Sequence, residues 1–168
     1  CDEVVLTVNG TPVGRKTSEP YTQLRWQAEY QPGEIKAVGY RDGLPVAEET
    51  VRTASAPAAL ILDPDRTSLS ADGADTVSVT VYAVDKDGNP VPDADNLIRF
   101  SVTGSAQIAG CGNGDPTSHE NDTLPERKLF AGMCAVLVRS GEKDETICLS
   151  AESDGLTAGH AVLTVGKC

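Results

Sequence analysis

Asn113, Asp115, His119 and Glu120 fall together on the run Gly110-Cys111-Gly112-Asn113-Gly114-Asp115-Pro116-Thr117-Ser118-His119-Glu120. Two carboxylates, an imidazole and an amide at that density could move protons, take a cation, or hold a loop by hydrogen bonds. A glycosidase needs two carboxyl groups at a defined separation. Asp115 and Glu120 are the pair to consider, but no spacing rule singles two out of the 25 acidic residues. Calcium wants a ring of oxygen ligands, and no twelve-residue calcium loop pattern is present. Zinc has no support, because the two histidines, His119 and His160, are far apart in sequence. The five cysteines, Cys1, Cys111, Cys134, Cys148 and Cys168, contain no C-x-x-C spacing either. We therefore expect no catalytic residue, no metal and no cofactor in this chain. The four side chains are read as the pegs of a structural or interdomain loop, bonded to backbone and to each other and presenting the loop to a neighbouring domain.

The surrounding residues predict how that loop is built. Three glycines in five residues allow positive φ and close packing. Asn113-Gly114 and Asp115-Pro116 are turn dipeptides. Thr117 followed three residues later by Glu120 has the form of a capping box, which predicts one short helical turn.

Composition narrows the class. The chain has 168 residues, 39% hydrophobic and 23% charged, with 16 Gly and 10 Pro placed mostly between short apolar runs. Val and Thr are frequent, so strands are favoured. The net charge of −11 argues against nucleic acid, whose phosphates need a basic face. No apolar run approaches the roughly 18 residues of a membrane helix, so no membrane insertion is expected. Aromatics are 4%, few for a sugar-binding face of exposed rings.

Period-two alternation runs along most of the chain. Val4–Val8, Leu24–Tyr30, Ile35–Tyr40 and Leu44–Thr53 read as strands, with Asn9-Gly10 and Asp42-Gly43 as tight turns. Trp26 reads as a core anchor. After Thr53-Ala54-Ser55-Ala56-Pro57-Ala58, a linker by composition, a second series follows. In it Val77, Val79, Val81 and Ala83 point inward, as do Ile98, Phe100 and Val102, and then Cys134, Val136 and Val138 within a long pattern over Leu129–Arg139. Asp87-Gly88-Asn89-Pro90 reads as a hairpin turn. Ile147–Ala151 and Ala161–Val165 close the series. A Cys134–Cys148 disulfide is an open alternative to two buried thiols. The pattern predicts an all-β fold of two immunoglobulin-like β-sandwich units. Residues 1–55 form a truncated first unit with its opening strands missing, and residues 56–168 a complete second one.

Several strings go beyond general β-sandwich rules. Tyr30-Gln31-Pro32-Gly33-Glu34-Ile35-Lys36-Ala37-Val38-Gly39-Tyr40, Val84-Asp85-Lys86-Asp87-Gly88, Gly112-Asn113-Gly114-Asp115-Pro116-Thr117-Ser118-His119-Glu120 and Arg127-Lys128-Leu129-Phe130-Ala131-Gly132 resemble the C-terminal accessory domains of bacterial glycoside hydrolase family 2 β-galactosidases. The resemblance implies a parent with an upstream catalytic barrel that hydrolyses terminal β-galactosides with retention, using two glutamates absent from this chain. It implies that catalytic domain as partner, a homo-oligomer as a second candidate, and a periplasmic or cell-surface location. This sequence departs from the family pattern at Cys111, where a glycine or small aliphatic residue is expected. The strand-and-turn run from Ala71 to Pro92 is also similar to invasin-type surface repeats, which leaves an adhesion or spacer module as the alternative, with a carbohydrate-binding module as a third.

Overall fold

The computed structural model describes residues 1–167; Cys168 lies outside them. The chain divides into two compact units, Cys1–Thr53 and Ala54–Cys168. The described residues are all-β, as expected, and no helix forms among them.

The first unit is one antiparallel sheet ordered β2-β1-β3-β4. Its strands are β1 (Glu3–Val8), β2 (Thr11–Thr17), β3 (Glu34–Arg41) and β4 (Leu44–Arg52). Asn9-Gly10 and Asp42-Gly43 both have positive φ at each residue, the backbone of a type I′ turn, and they join β1–β2 and β3–β4 as the sequence predicts. Two expectations fail here. Leu24–Tyr30 is not a strand, and β2, whose Pro12 and Gly14 weaken any strand prediction, takes the edge instead. An edge tolerates proline because one row of its backbone groups needs no partner. Trp26 is only half-buried and is no core anchor. It lies over Gly14, where a Cβ would stand 3.3 Å from its indole nitrogen, with the Lys16 ammonium 5.3 Å from the ring centre. The alternation of Leu24–Tyr30 is real, but no strand edge pairs with it.

The second unit is a two-layer sandwich. One sheet is ordered β10-β8-β12-β13-β6 and the other β5-β7-β11-β9. The strands are β5 (Ala59–Pro64), β6 (Ser68–Ser70), β7 (Thr76–Val84), β8 (Leu97–Val102), β9 (Gln107–Gly112), β10 (Glu126–Lys128), β11 (Met133–Arg139), β12 (Glu145–Glu152) and β13 (Gly159–Gly166). The inward residues are those the alternation marks: Val77, Val79, Val81 and Ala83 meet Val136 and Val138 in one layer, and all are fully buried. Ile98, Ile147, Leu149 and Leu163 face them from the other layer in the same core. Each such side chain contributes about 1.5–3 kcal/mol on burial, so this interlayer seam dominates the stability of the unit.

Two local readings are corrected and one open alternative is closed. The long pattern over Leu129–Arg139 is broken by a turn at Ala131-Gly132, both with positive φ, and β11 starts at Met133. The turn at Asp87–Pro90 forms, with a bridge between Val84 and Pro90, but the chain then crosses to the other sheet rather than returning beside β7. Cys134 and Cys148 sit in strands of different sheets and both thiols are free. Burial pushes the Cys134 thiol up to about 12, so it packs as a small apolar side chain.

Aspartates fix the turns of this unit. Asp85 is buried and accepts hydrogen bonds from the amides of Ser55 (2.9 Å), Asp87 (2.9 Å) and Asn89 (2.8 Å). That tie draws Ala54-Ser55 into the second unit. Asp75 takes a forked pair from Arg66 at 3.0 and 2.5 Å, and Glu145 accepts from the Ser105 amide at 2.7 Å. The Ser55 amide holds the Asp85 carboxyl below its ordinary range, the Arg66 guanidinium does so for Asp75, and the Ser105 hydroxyl and amide do so for Glu145. A depressed folded-state pKa stabilises the fold above the unfolded pKa, about 4 for these groups, and that stability is lost as pH falls through the lower folded values. Denaturant midpoints are therefore expected to hold steady from about pH 7 to 5 and to fall progressively below about pH 4. Asp85→Asn should flatten that fall, a change readable by repeating the pH series on the variant.

Candidate functional site

The predicted loop leaves β9, crosses the open side of the sandwich over residues 113–125, and enters β10 on the other sheet. Its pegs are made locally. Asp115 Oδ1 accepts from the Thr117 amide (2.8 Å) and the Thr117 hydroxyl (2.7 Å), and the Ser118 amide reaches the Asp115 carbonyl at 3.2 Å. Those bonds hold the Asp115 carboxyl below its usual range, the Thr117 amide first. They also explain why the capping box does not form. The Thr117 hydroxyl points back to Asp115, and the Glu120 amide takes Ser118 Oγ at 3.3 Å instead. The segment is a chain of side-chain-closed turns with no helical turn.

Asn113 ties the loop across to β10, its amide Nδ2 donating to the Lys128 carbonyl at 3.0 Å while its Oδ1 accepts from the Asp115 amide at 3.1 Å. Glu120 does the same from the far side, accepting from the Lys128 amide at 3.4 Å and from Ser118 Oγ at 3.2 Å. Three of the four predicted residues thus enter one network. His119 is exposed and makes no hydrogen bond among the described residues. Asp115 uses its carboxylate within the loop and Glu120 spends its own on Ser118 and on β10, so the arrangement holds a surface in shape rather than placing an acid beside a nucleophile.

The residue that organises the loop is one the sequence reading did not single out, Arg127. It stands on β10 opposite Ile98 of β8, so its side chain enters the sandwich, and its side chain is 2% exposed. The guanidinium donates to the Cys111 carbonyl at 2.8 Å and to the Asp122 carboxylate, and approaches Ser118 Oγ at 3.4 Å and Glu120 Oε2 at 3.6 Å. Backbone bonds clamp the same region, with the Cys111 amide on the Asp122 carbonyl at 2.8 Å. A signal for this role exists in the sequence. Leu129 is an inward residue, and period two places Arg127 on its face. Cys111 is buried in β9, and burial lifts its thiol to about 11. It fills a core position under the loop while its backbone serves Arg127.

The two sheets and the loop they carry define a class: a mostly antiparallel β-sandwich domain, with β6 pairing in parallel on β13, and a long ordered loop joining the edges of its two sheets. Residues 60–162 match the glycoside hydrolase family 2 C-terminal domain 5, and the chain belongs to that family. Residues 1–47 match a domain family of unknown function, DUF4982. Among curated proteins, a β-galactosidase of Bacteroides ovatus, BoGH2A, is 42% identical over 98% of this chain and 19% of its own length. A β-galactosidase of Thermoanaerobacter pseudethanolicus is 36% identical over 71% of this chain and 14% of its own. A crystal structure of a β-glycosidase from Bacteroides vulgatus, 31% identical, superposes on 98% of this chain with a TM-score of 0.91, covering 21% of that protein. The chain spans about a fifth or less of the relatives it matches.

Proposed function

We propose that this chain is the non-catalytic C-terminal part of a family 2 β-galactosidase. Its parent hydrolyses terminal β-galactosides in carbohydrate metabolism, in the periplasm or at the cell surface. The sandwich braces the parent. It holds the loop over residues 113–125 as a fixed surface against the upstream catalytic domain or a second copy of the protein. The observation that carries this reading is the 42% identity, over nearly the whole chain, to a β-galactosidase five times its length. The loop agrees with it: Asn113, Asp115 and Glu120 are engaged within the loop and with β10, and its Leu124 is 46% exposed, as a docking surface requires. An invasin-like spacer or a carbohydrate-binding module is not favoured by these relatives. The test is turnover of a chromogenic β-galactoside. The 168-residue chain should leave it intact at any concentration, while the parent hydrolyses it. Activity that follows the isolated chain through successive columns overturns the reading.

A further inference from the structure

The sheet of the first unit has two unlike faces. Directly opposed residues of an antiparallel ladder share a face, so the register puts Val4, Leu6, Val8, Ile35, Ala37 and Val51 on one side, with Lys16 on edge strand β2 and Glu49 on edge strand β4 at its margins. The other side carries ion pairs Arg15–Glu3 (2.9 Å), Lys36–Glu48 (2.9 Å) and Arg52–Glu34 (2.7 Å). Exposed pairs of this kind are worth about 0–1 kcal/mol each, which marks that side as the solvent face. Two contacts confirm which side is apolar: Trp26 covers Gly14, the partner of Leu6, and the Cys1 side chain stands 3.1 Å from where a Gly39 Cβ would be, opposite Val4. The rest of the face is open, with Ile35 44% and Val51 63% exposed.

Among the described residues of this unit Val8 is the one buried hydrophobic side chain. A unit of this size with no further core does not hold itself folded. A sheet that gathers its ion pairs on one face, around Val5 and Val38, and keeps charge only at the edges of the other is one layer of a two-layer structure. We infer that this apolar face is the inner wall of a β-sandwich whose facing sheet is supplied by another segment of a longer polypeptide. The occupant is a sheet of alternating apolar strands, because the open residues lie side by side on the neighbouring strands β3 and β4, and because sheet on sheet is how the second unit buries its own strands. The length of chain required is at hand in the solved relative, of which this chain is 21%. The inference rests on the proposed function only in taking the chain as part of a longer protein; no activity enters it.

The test reads burial at Val51 by site-resolved mass spectrometry after maleimide labelling. Val51→Cys is compared with Glu48→Cys, on the charged face of the same strand, each in a Cys1→Ser background. Both variants are made in the 168-residue chain and in the natural-length protein. In the longer protein Val51→Cys should label about 100-fold more slowly than in the short chain, with Glu48→Cys labelling alike in both. Fast labelling of Val51→Cys in the longer protein overturns the inference. Protection already present in the short chain overturns it too: dilution-sensitive protection means a second copy covers the face, and dilution-insensitive protection means the chain covers it itself. If the cysteine variants do not fold, melting decides. Val51→Asp should lower the Tm of the longer protein by roughly 10 °C and Glu48→Ala by less than about 2 °C, and equal shifts reject the facing sheet.

Discussion

Arg127→Met lowers the melting temperature of the second unit by about 10 °C, the shift that roughly 2 kcal/mol produces in a domain of this size. The figure is set by what each partner does once the cation is gone. The Cys111 carbonyl loses a charge-assisted donor at 2.8 Å inside the sandwich, which costs about 1.5–3 kcal/mol. Asp122 has a side chain 79% exposed, so its carboxylate returns to water and adds little. Methionine fills most of the volume, which removes the cavity term. The loss therefore falls below the 3–5 kcal/mol of a fully buried pair broken on one side. Arg127→Lys should recover less than half of the shift, because a single ammonium cannot serve Cys111 and Asp122 together as the planar fork does. The local consequence is as specific as the thermal one. Amide hydrogen exchange across 113–125 should rise in Arg127→Met while the strand amides of β7 and β11 keep their protection. A Tm within about 2 °C of wild type, with the loop amides unchanged, would show that the loop stands without its arginine.

A larger loss is expected from one methyl group at Gly132. The residue sits at φ 75°, which costs an L side chain about 1–2 kcal/mol. Its new Cβ would also run into the Val91 carbonyl oxygen and stand 3.0 Å from the carbonyl carbon. That carbonyl cannot move aside cheaply. Val91 is buried, its amide is bonded to Ala83 at 3.0 Å, and Ala83 in turn donates to Gly132 at 3.1 Å. Gly132→Ala is expected to destabilise by about 4 kcal/mol, a fall of some 15–20 °C. Gly114→Ala provides the control, since it has the same φ of 75° but nothing within 4 Å of the added carbon. It should cost only the backbone term, about 1 kcal/mol and about 5 °C. Paired urea melts of the two variants separate sterics from backbone conformation, and similar losses at both sites would refute the close approach at Val91.

Strand alternation in the second unit was legible because each inward residue obeys a local rule of period two. Val77 to Ala83 and Cys134 to Val138 could be assigned without knowing what they would meet. Asn9-Gly10 and Asp42-Gly43 were legible for a similar reason, since positive φ at two successive residues is a property of the dipeptide. Leu24–Tyr30 misled because alternation states which side chains share a face and is silent on whether an edge is free to pair. The capping box at Thr117 misled because Asp115, two residues earlier, competes for the same hydroxyl at 2.7 Å. Asn113, Asp115 and Glu120 were found by residue type; Arg127 was not.

Residue order by itself determined the all-β class, the inward faces, the tight turns and the family, since each rests on neighbours within a few positions. Tertiary structure alone decided that Arg127 is buried and that Asp122 and Cys111 meet it. That cation lies between β9 and β10, strands of two different sheets, and its partners come together only once the layers have packed. Burial and charge pairing depend on which distant strands share an edge, and no local period encodes that.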